Sequence, residues 1–377
     1  MDFNLTEEQR LLADSVRRYL TNRYGFEQRN AILESESGIS DEAWSTYAEL
    51  GILGRALPED AGGFGGGAAD LMPVMEAFGE CLILEPFVPT VALAGRLIAR
   101  LGTQAQREQW LGAVAEGRAR LALAHGEAGA RYDLSQVGTR ASRDGGRWRI
   151  DGEKAVVLGA TVADRIVVSA STGDGDAGTA ISLFLVDPAA PGVTVRGYRT
   201  VDGLRAADLE LSGVQVDADA MLGDEGAALP AIEEAHDFAT ALCCAEAVGA
   251  IRAANAATLD YLKTRKQFGV PIGTFQALQH RMVDMTMELE QAYSMACLAC
   301  SRVDTEPDAA ARAHVVSAAK LRVARACRDV SQESIQLHGG MGMAEEMMVS
   351  HLFRRLTVLA QLFGDQDHHL ERFAATD

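Results

Sequence analysis

An α+β protein, helical at both ends and stranded in the middle, is the fold class this sequence predicts. Three observations carry that reading. Apolar residues recur at helical spacing from the N-terminus to about residue 118. Between about 119 and 225 the pattern changes to short apolar runs separated by turn residues. From about 226 to 377 helical spacing returns. The expected organisation is an N-terminal helical domain (1–118), a middle antiparallel β domain (119–225) and a C-terminal helical bundle (226–377).

The first helix signal is Leu5-Thr6-Glu-Glu-Gln9, with Thr6 as N-cap and Gln9 where a reciprocal capping box needs it. Leu11, Leu12, Val16 and Leu20 form its apolar stripe. Gly62-Gly-Phe-Gly-Gly-Gly67 reads as a plain loop, because it lacks the Lys-Ser/Thr ending of a phosphate-cradling Walker loop. In the middle segment, strands are expected at 137–141, 147–150, 155–158, 165–169, 181–186, 193–196 and 209–211. Turns are expected at Asp144-Gly-Gly146, Asp151-Gly152 and 188–192. In the last segment Leu278, Met282, Met285 and Leu289 share one helix face, which predicts core packing, as do Val315, Ala319 and Leu321 nearby.

Composition excludes several functions. The chain has 377 residues and a formal charge of 35 − 53 = −18, the wrong sign for a nucleic-acid partner. No apolar run reaches the roughly 18 to 20 residues that span a bilayer, so no membrane partner is expected. Asp2, Glu7 and Glu8 stand where a secretory leader would be basic, which predicts a cytoplasmic protein with reduced thiols. Cys297-Leu-Ala-Cys300 has a metal-like spacing. It lies in an apolar helical stretch without a second pair, so helix packing is the expectation and no metal is predicted.

Two motifs carry chemistry. Arg265-Lys-Gln-Phe-Gly269 is followed by Phe275-Gln276, and Gln336-Leu-His-Gly-Gly340 comes some sixty residues later. Arginine pairs bidentately with a pyrophosphate, glutamine reads a polar edge, and paired glycines admit a ligand close to the backbone. In this order the motifs resemble the C-terminal signature of the acyl-CoA dehydrogenase family, and the resemblance extends over nearly the whole chain from Met1-Asp-Phe-Asn-Leu-Thr-Glu-Glu-Gln9. It implies that family's three-domain fold and FAD as cofactor. It places Arg265, Gln267, Phe275 and Gln276 on the adenine-side half of the flavin, completed by Gln336, Gly339 and Gly340.

Elsewhere the chain departs from the family pattern. The Thr-Glu-Pro-Gly-Ala-Gly-Ser-Asp stretch of the β domain corresponds to Gly126-Glu-Ala-Gly-Ala-Arg-Tyr-Asp133, so a flavin-bonding hydroxyl becomes Gly126 and an acyl-CoA-bonding serine becomes Tyr132. The Trp-Ile-Thr segment that packs on the flavin is Val156-Val-Leu158. The glutamate that abstracts the α-proton corresponds to Phe363, and the alternative base position on an earlier helix falls on Ala239. Asp365 is the remaining candidate for a catalytic base. Alternatively Asp365 and Asp367 take over FAD contacts, with His368 and His369 as a polar helix start.

Three readings follow. The first is a subunit of an FAD-dependent acyl-CoA dehydrogenase forming 2,3-enoyl-CoA. It resembles the small subunit of the heteromeric enzymes of bacterial steroid, ring-compound or dicarboxylate degradation, and donates its C-terminal FAD clamp to a partner chain that carries the base. The resemblance implies an acyl-CoA substrate, a second acyl-CoA dehydrogenase subunit in a heterotetramer, and an electron-transfer flavoprotein. The second is a self-sufficient homo-oligomer using Asp365. The third is a catalytically inactive scaffold that binds an acyl-CoA or a partner.

Overall fold

The computed structural model describes residues 6–173 and 180–375; residues 1–5, where the resemblance and the first helix signal begin, lie outside the described residues. Helices α1 (Glu7–Arg23), α2 (Phe26–Glu34), α3 (Asp41–Glu49), α4 (Ala68–Cys81), α5 (Arg96–Leu101) and α6 (Gln104–Ala115) come first. Strands β1 (Leu121–Ala124), β2 (Arg140–Asp144), β3 (Arg147–Leu158), β4 (Arg165–Ser171), β5 (Ile181–Val186), β6 (Val193–Arg199), β7 (Arg205–Asp217) and β8 (Met221–Leu222) follow. Then come α7 (Leu229–Thr264), a hairpin of β9 (Lys266–Gln267) and β10 (Val270–Pro271), α8 (Gln276–Arg302), α9 (Ala309–His338), α10 (Met348–Gln361) and α11 (Gln366–Ala374). The helix–sheet–helix order is the α+β class the sequence predicts. At α1 the capping box forms as its residues require: Gln9 N donates to Thr6 Oγ1 at 3.2 Å, and Thr6 N donates to Gln9 Oε1 at 2.9 Å.

The described residues form two compact units. One comprises those of Met1–Ala31, Ala68–Ile83 and Thr240–Asp377; the other comprises those of Ile32–Gly67 and Leu84–Ala239. Within the first, α4 and α7 touch backbone to backbone. A Cβ on Gly79 would lie 1.9 Å from the Glu246 carbonyl, and one on Gly249 would lie 1.9 Å from that of Glu76. Only glycine permits that approach. Arg252 flanks the crossing, donating to Glu76 Oε2 at 2.6 Å and Glu80 Oε1 at 2.8 Å. On α8 the expected core face is partly covered: Met285 is buried, while Leu278, Met282 and Leu289 are half-buried, and Val283 and Met287 are exposed. Cys297 and Cys300 are free thiols buried in α8, packing as small hydrophobes.

The second unit holds the sheet, ordered β6-β7-β3-β2-β4-β5-β8 with β1 beside β4. Trp148 and Phe184 meet edge to face at 5.3 Å in its core. Two expectations are corrected. The sheet is mixed and not purely antiparallel, because β1 runs parallel to β4 and β2 meets β4 in parallel at Arg140 and Ser171. The β2–β3 hairpin lies in the β1-to-β4 connection, and such a crossover permits parallel pairing. Asp151-Gly152 is not a turn either. β3 runs through it as one strand, with a register shift between Ile150 and Gly152. Gly152 has φ +151°, and a Cβ there would lie 2.6 Å from Thr139 Oγ1, so glycine carries the strand through a bulge. Among the described residues no helix is long and apolar enough to cross a membrane.

Candidate functional site

Both sequence motifs come together in the first unit. Arg265 sits just past α7; its amide donates to the Tyr261 carbonyl, and its own carbonyl accepts from Ile272 N, both at 2.8 Å. Gln267 pairs with Val270, leaving Phe268 and Gly269 as a two-residue turn with φ of +54° and +83°. Positive φ at both central positions suits the twist of a tight hairpin. Glycine adopts it freely, whereas Phe268 is a strained non-glycine residue. Its ring is 92% exposed and meets Phe275 edge-on at 6.2 Å. Arg265, Gln267, Phe275 and Gln276 all lie exposed along this corner.

Gln336 is exposed in the last turn of α9, followed by Gly339 and Gly340. Gly339 adopts φ 62° and ψ −144°, a region essentially open only to glycine. A Cβ on Gly340 would meet nothing within 4 Å, so packing within the chain does not demand glycine there and the backbone stays open to a ligand. Tyr261, one turn before Arg265, stacks on His338 at 4.5 Å, and Arg281 on α8 pairs with Glu333 on α9 at 2.6 Å. These two contacts tie the motifs to each other. Burial holds the His338 imidazole below its usual pKa, opposed by its hydrogen bond to the Ser334 carbonyl. The resulting surface offers a cation, three amide side chains and open glycine backbone. That donor set fits one half of a flavin dinucleotide.

The β-sheet side is built differently. Lys154 is fully buried and donates to Glu127 Oε1 at 2.7 Å, Ser169 Oγ at 3.0 Å and the His125 carbonyl at 3.3 Å. Glu127 also accepts from the Gly138 and Thr139 amides and the Thr139 hydroxyl. Burial raises the Glu127 carboxyl, but Lys154 and those amides outweigh it and hold the group below the usual carboxylate range. Burial lowers Lys154 to about 8 against the pull of Glu127, and lowers His125 to about 3 with help from His236 and Lys154. The residues above this network present little to a flavin. Gly126 has no side chain, Tyr132 is half-buried, and Val156 is exposed at a second bulge in β3 with φ +54°, its amide held by Asp208 at 3.0 Å. Of the two hydroxyls and the indole that the resemblance leads one to expect, Gly126 and Val156 supply none, and Tyr132 has a phenol in place of serine.

The position where the resemblance puts a proton-abstracting glutamate is also different. Phe363 follows α10 with φ +62°, and Gly364 follows with φ +125°. Asp365 caps α11, accepting from His368 N at 2.9 Å; Asp367 is exposed in the first turn. Ala239 is buried in α7, and Glu246, seven residues on, is held by Arg355 through two bonds of 2.6 and 2.8 Å. His369 is buried, unlike a solvated helix start: Nε2 meets the Phe363 carbonyl at 3.1 Å and Nδ1 meets Ser317 Oγ at 3.2 Å. Buried Lys320 reaches the Leu359 carbonyl. Sequence reasoning missed Lys154, Lys320, Tyr261 and His369 as organising residues. No local signal marks them, because each is organised by partners distant in the chain.

Comparison with known proteins covers the whole molecule. Family models match at residues 6–118 (acyl-CoA dehydrogenase, N-terminal domain), 122–217 (middle domain) and 229–376 (C-terminal domain). Acyl-CoA dehydrogenase FadE12 of Mycobacterium tuberculosis is 32% identical over 367 residues, covering 94% of this chain and 93% of that protein. A crystal structure of the ChsE4-ChsE5 complex from Mycobacterium tuberculosis superposes with a TM-score of 0.89 at 27% identity, over 100% of this chain and 98% of the other. A Tcur3481-Tcur3483 steroid ACAD variant gives 0.86 at 32% identity, over 98% and 97%.

Proposed function

The chain belongs to the acyl-CoA dehydrogenase family, FAD-dependent oxidoreductases acting on CH–CH bonds, and from that premise we propose that it is the clamp-donating subunit of a heteromeric enzyme. In this reading it holds the adenine-side half of an FAD whose other half sits on a partner chain, and the partner supplies the base. Bound FAD would supply the hydride acceptor for converting an acyl-CoA to its 2,3-enoyl-CoA. Arg265 would pair with the FAD pyrophosphate, Gln267, Gln276 and Gln336 would bond its polar edges beside Phe275, and Gly339 and Gly340 would admit it to the backbone. Asp365 and Asp367 add acceptors for hydroxyl groups. The partner's carboxylate removes the α-proton, and an electron-transfer flavoprotein receives the electrons.

One observation carries this reading: a complete, exposed clamp coexists with a phenylalanine at the proton-abstracting position and with a β-sheet face that has lost its flavin donors. A homo-oligomer would join each clamp to that depleted face. Similarity to the ChsE4-ChsE5 complex and to a steroid ACAD supports a two-chain assembly acting on a bulky, ring-bearing acyl group. The test is to purify the chain alone and together with its candidate partner, and to quantify flavin and activity in each. Colourless protein that becomes yellow and active only with the partner supports the reading. A flavin-loaded, active homo-oligomer would favour Asp365 as base, and protein inert in both forms would favour a scaffold.

A further inference from the structure

The chain after α10 must end a helix, turn sharply and start α11 within a few residues. A helix C-terminus leaves carbonyls without intrahelical partners. Here the Leu359 carbonyl of α10 accepts from Lys320 on α9, and beyond the helix the Phe363 carbonyl meets His369 on α11 at 3.1 Å. A carbonyl can only accept, so Nε2 of His369 carries the proton. Nδ1 then accepts from the Ser317 hydroxyl at 3.2 Å. Ser317 and Lys320 are three residues apart on one face of α9, so one helix face holds both ends of the corner.

The corner's backbone conformation depends on the same ring. A Cβ on Gly364 would lie 2.4 Å from His369 Nε2 and 2.6 Å from His368 Cδ2, and its φ of +125° is a glycine conformation. Phe363 is held at φ +62°, an uncommon state for a non-glycine residue. Such strain persists only where the surroundings over-determine it. Groups facing His369 are Lys320 and Ser317 from α9, His368 and Arg372 from its own helix, and the Phe363 carbonyl from the corner.

We infer that His369 is a positioning residue of the cofactor clamp: its Nε2–H fixes the Phe363–Gly364 corner, and the corner sets where the Asp365 carboxylate stands. The inference rests on the clamp reading above. A corner fixed in this way also opposes the re-aiming that Asp365 would need to act as a base. Burial first, then Lys320, His368 and Arg372, lower the imidazole pKa to about 3, so the ring is neutral at physiological pH and both bonds hold together.

The test uses the full chain as wild type, His369→Leu, His369→Gln, Ser317→Ala and Arg265→Ala. Hydrogen exchange across residues 360–370 of the isolated chain reads the corner without any cofactor. FAD affinity of the partnered assembly reads the consequence, alongside the melting temperature. His369→Leu is expected to speed exchange at the corner and weaken FAD roughly tenfold, about the effect of one net hydrogen bond. His369→Gln, which retains an N–H donor, should recover most of that affinity, and Ser317→Ala should fall between. A lowered melting temperature with unchanged FAD affinity in His369→Leu overturns the positioning role. So does failure of glutamine to rescue while leucine and glutamine melt alike. If Arg265→Ala also leaves FAD affinity unchanged, the clamp reading itself has failed; if Arg265→Ala alone weakens it, the failure belongs to His369.

Discussion

Two buried clusters, one in each compact unit, are built from the same three residue types, and only the sheet-side one carries a buried ion pair, Lys154 with Glu127. On the sheet side His125, Ser169 and Lys154 lie together, with Glu127 accepting from Lys154 and from the Gly138 and Thr139 amides. On the helical side His369, Ser317 and Lys320 lie together, and their donors are spent on the Phe363 and Leu359 carbonyls. A sheet-edge loop exposes amides and needs an acceptor. A helix C-terminus exposes carbonyls and needs donors. In both clusters the imidazole stays neutral, bonds a serine hydroxyl and holds a loop carbonyl, that of Leu134 in one case and Phe363 in the other. The difference lies in what each cluster adjoins. The helical one holds the corner before the Asp365 cap, and the sheet one adjoins Gly126 and the Val156 bulge in chain order.

The largest expected effect is acid sensitivity, which tests whether the clusters are alike. His125 and His369 both fall from about 6.5 to about 3 in the folded chain, burial being the first cause in each. Between those values the unfolded chain binds protons that the native chain does not, so stability is fully present above pH 6.5 and is lost as pH falls toward 3. Each histidine contributes a slope on the order of 1.4 kcal/mol per pH unit in that window. Denaturation at pH 7, 6, 5 and 4 should show the decline, and His369→Gln should remove one histidine's share of the slope, on the order of 1.4 kcal/mol per pH unit. An unchanged slope in that variant would show that the two rings are not equivalent.

Lys154→Met should lower stability by about 3 kcal/mol in urea titrations, because it strands Glu127 beside two amides and breaks a buried ion pair. The same change should shift FAD affinity of the folded, partnered assembly by less than about threefold, below the 1.4 kcal/mol that a tenfold change represents. A large loss of flavin with the fold intact would mean that the sheet side binds cofactor after all.

Arg265→Ala is the mirror experiment. It should leave stability nearly unchanged, since Arg265 is exposed, yet weaken FAD by about 10- to 100-fold, matching about 1.5 to 3 kcal/mol for a charged hydrogen bond. Equilibrium dialysis of the assembly against FAD measures this. Flavin content equal to wild type at limiting FAD would remove Arg265 from the clamp.

The two clusters were not equally legible in the sequence as the surfaces above them. The proposed clamp stands out because Arg265-Lys-Gln-Phe-Gly269 and Gln336-Leu-His-Gly-Gly340 are contiguous motifs that carry the family resemblance. The helices could be read from period, and the α1 cap from Thr6 and Gln9. Lys154 and Lys320 could not, since lysine is almost always exposed and burial is decided by partners distant in the chain. The parallel β1–β4 pairing was hidden for a similar reason: register across forty residues leaves no local mark. At Asp151-Gly152 the sequence did carry a signal, and it pointed the wrong way. The glycine that reads as a turn instead relieves a collision with Thr139 inside a continuous strand.

The smallest expected effect separates the heteromeric reading from a self-sufficient enzyme. Asp365 lies two residues past the position of the family's glutamate, where this chain has Phe363. Its carboxylate caps α11 through His368 N, and the corner before it is held by His369 and by the glycine conformation of Gly364. To reach an α-proton it would have to give up the cap and rearrange a corner fixed from two helices. Asp365→Asn keeps a side-chain oxygen for the cap, so the fold should stay within about 0.5 kcal/mol of wild type. Flavin reduction by an acyl-CoA in the assembled enzyme should then fall only a few-fold, well short of the roughly 10²- to 10⁴-fold typical of removing a general base. Stopped-flow reduction of the flavin, normalised to bound FAD, makes the measurement. A drop of several hundred-fold with FAD content unchanged would place the base in this chain, and the contrast between a clamp-bearing half and a partner-supplied half would have to be abandoned.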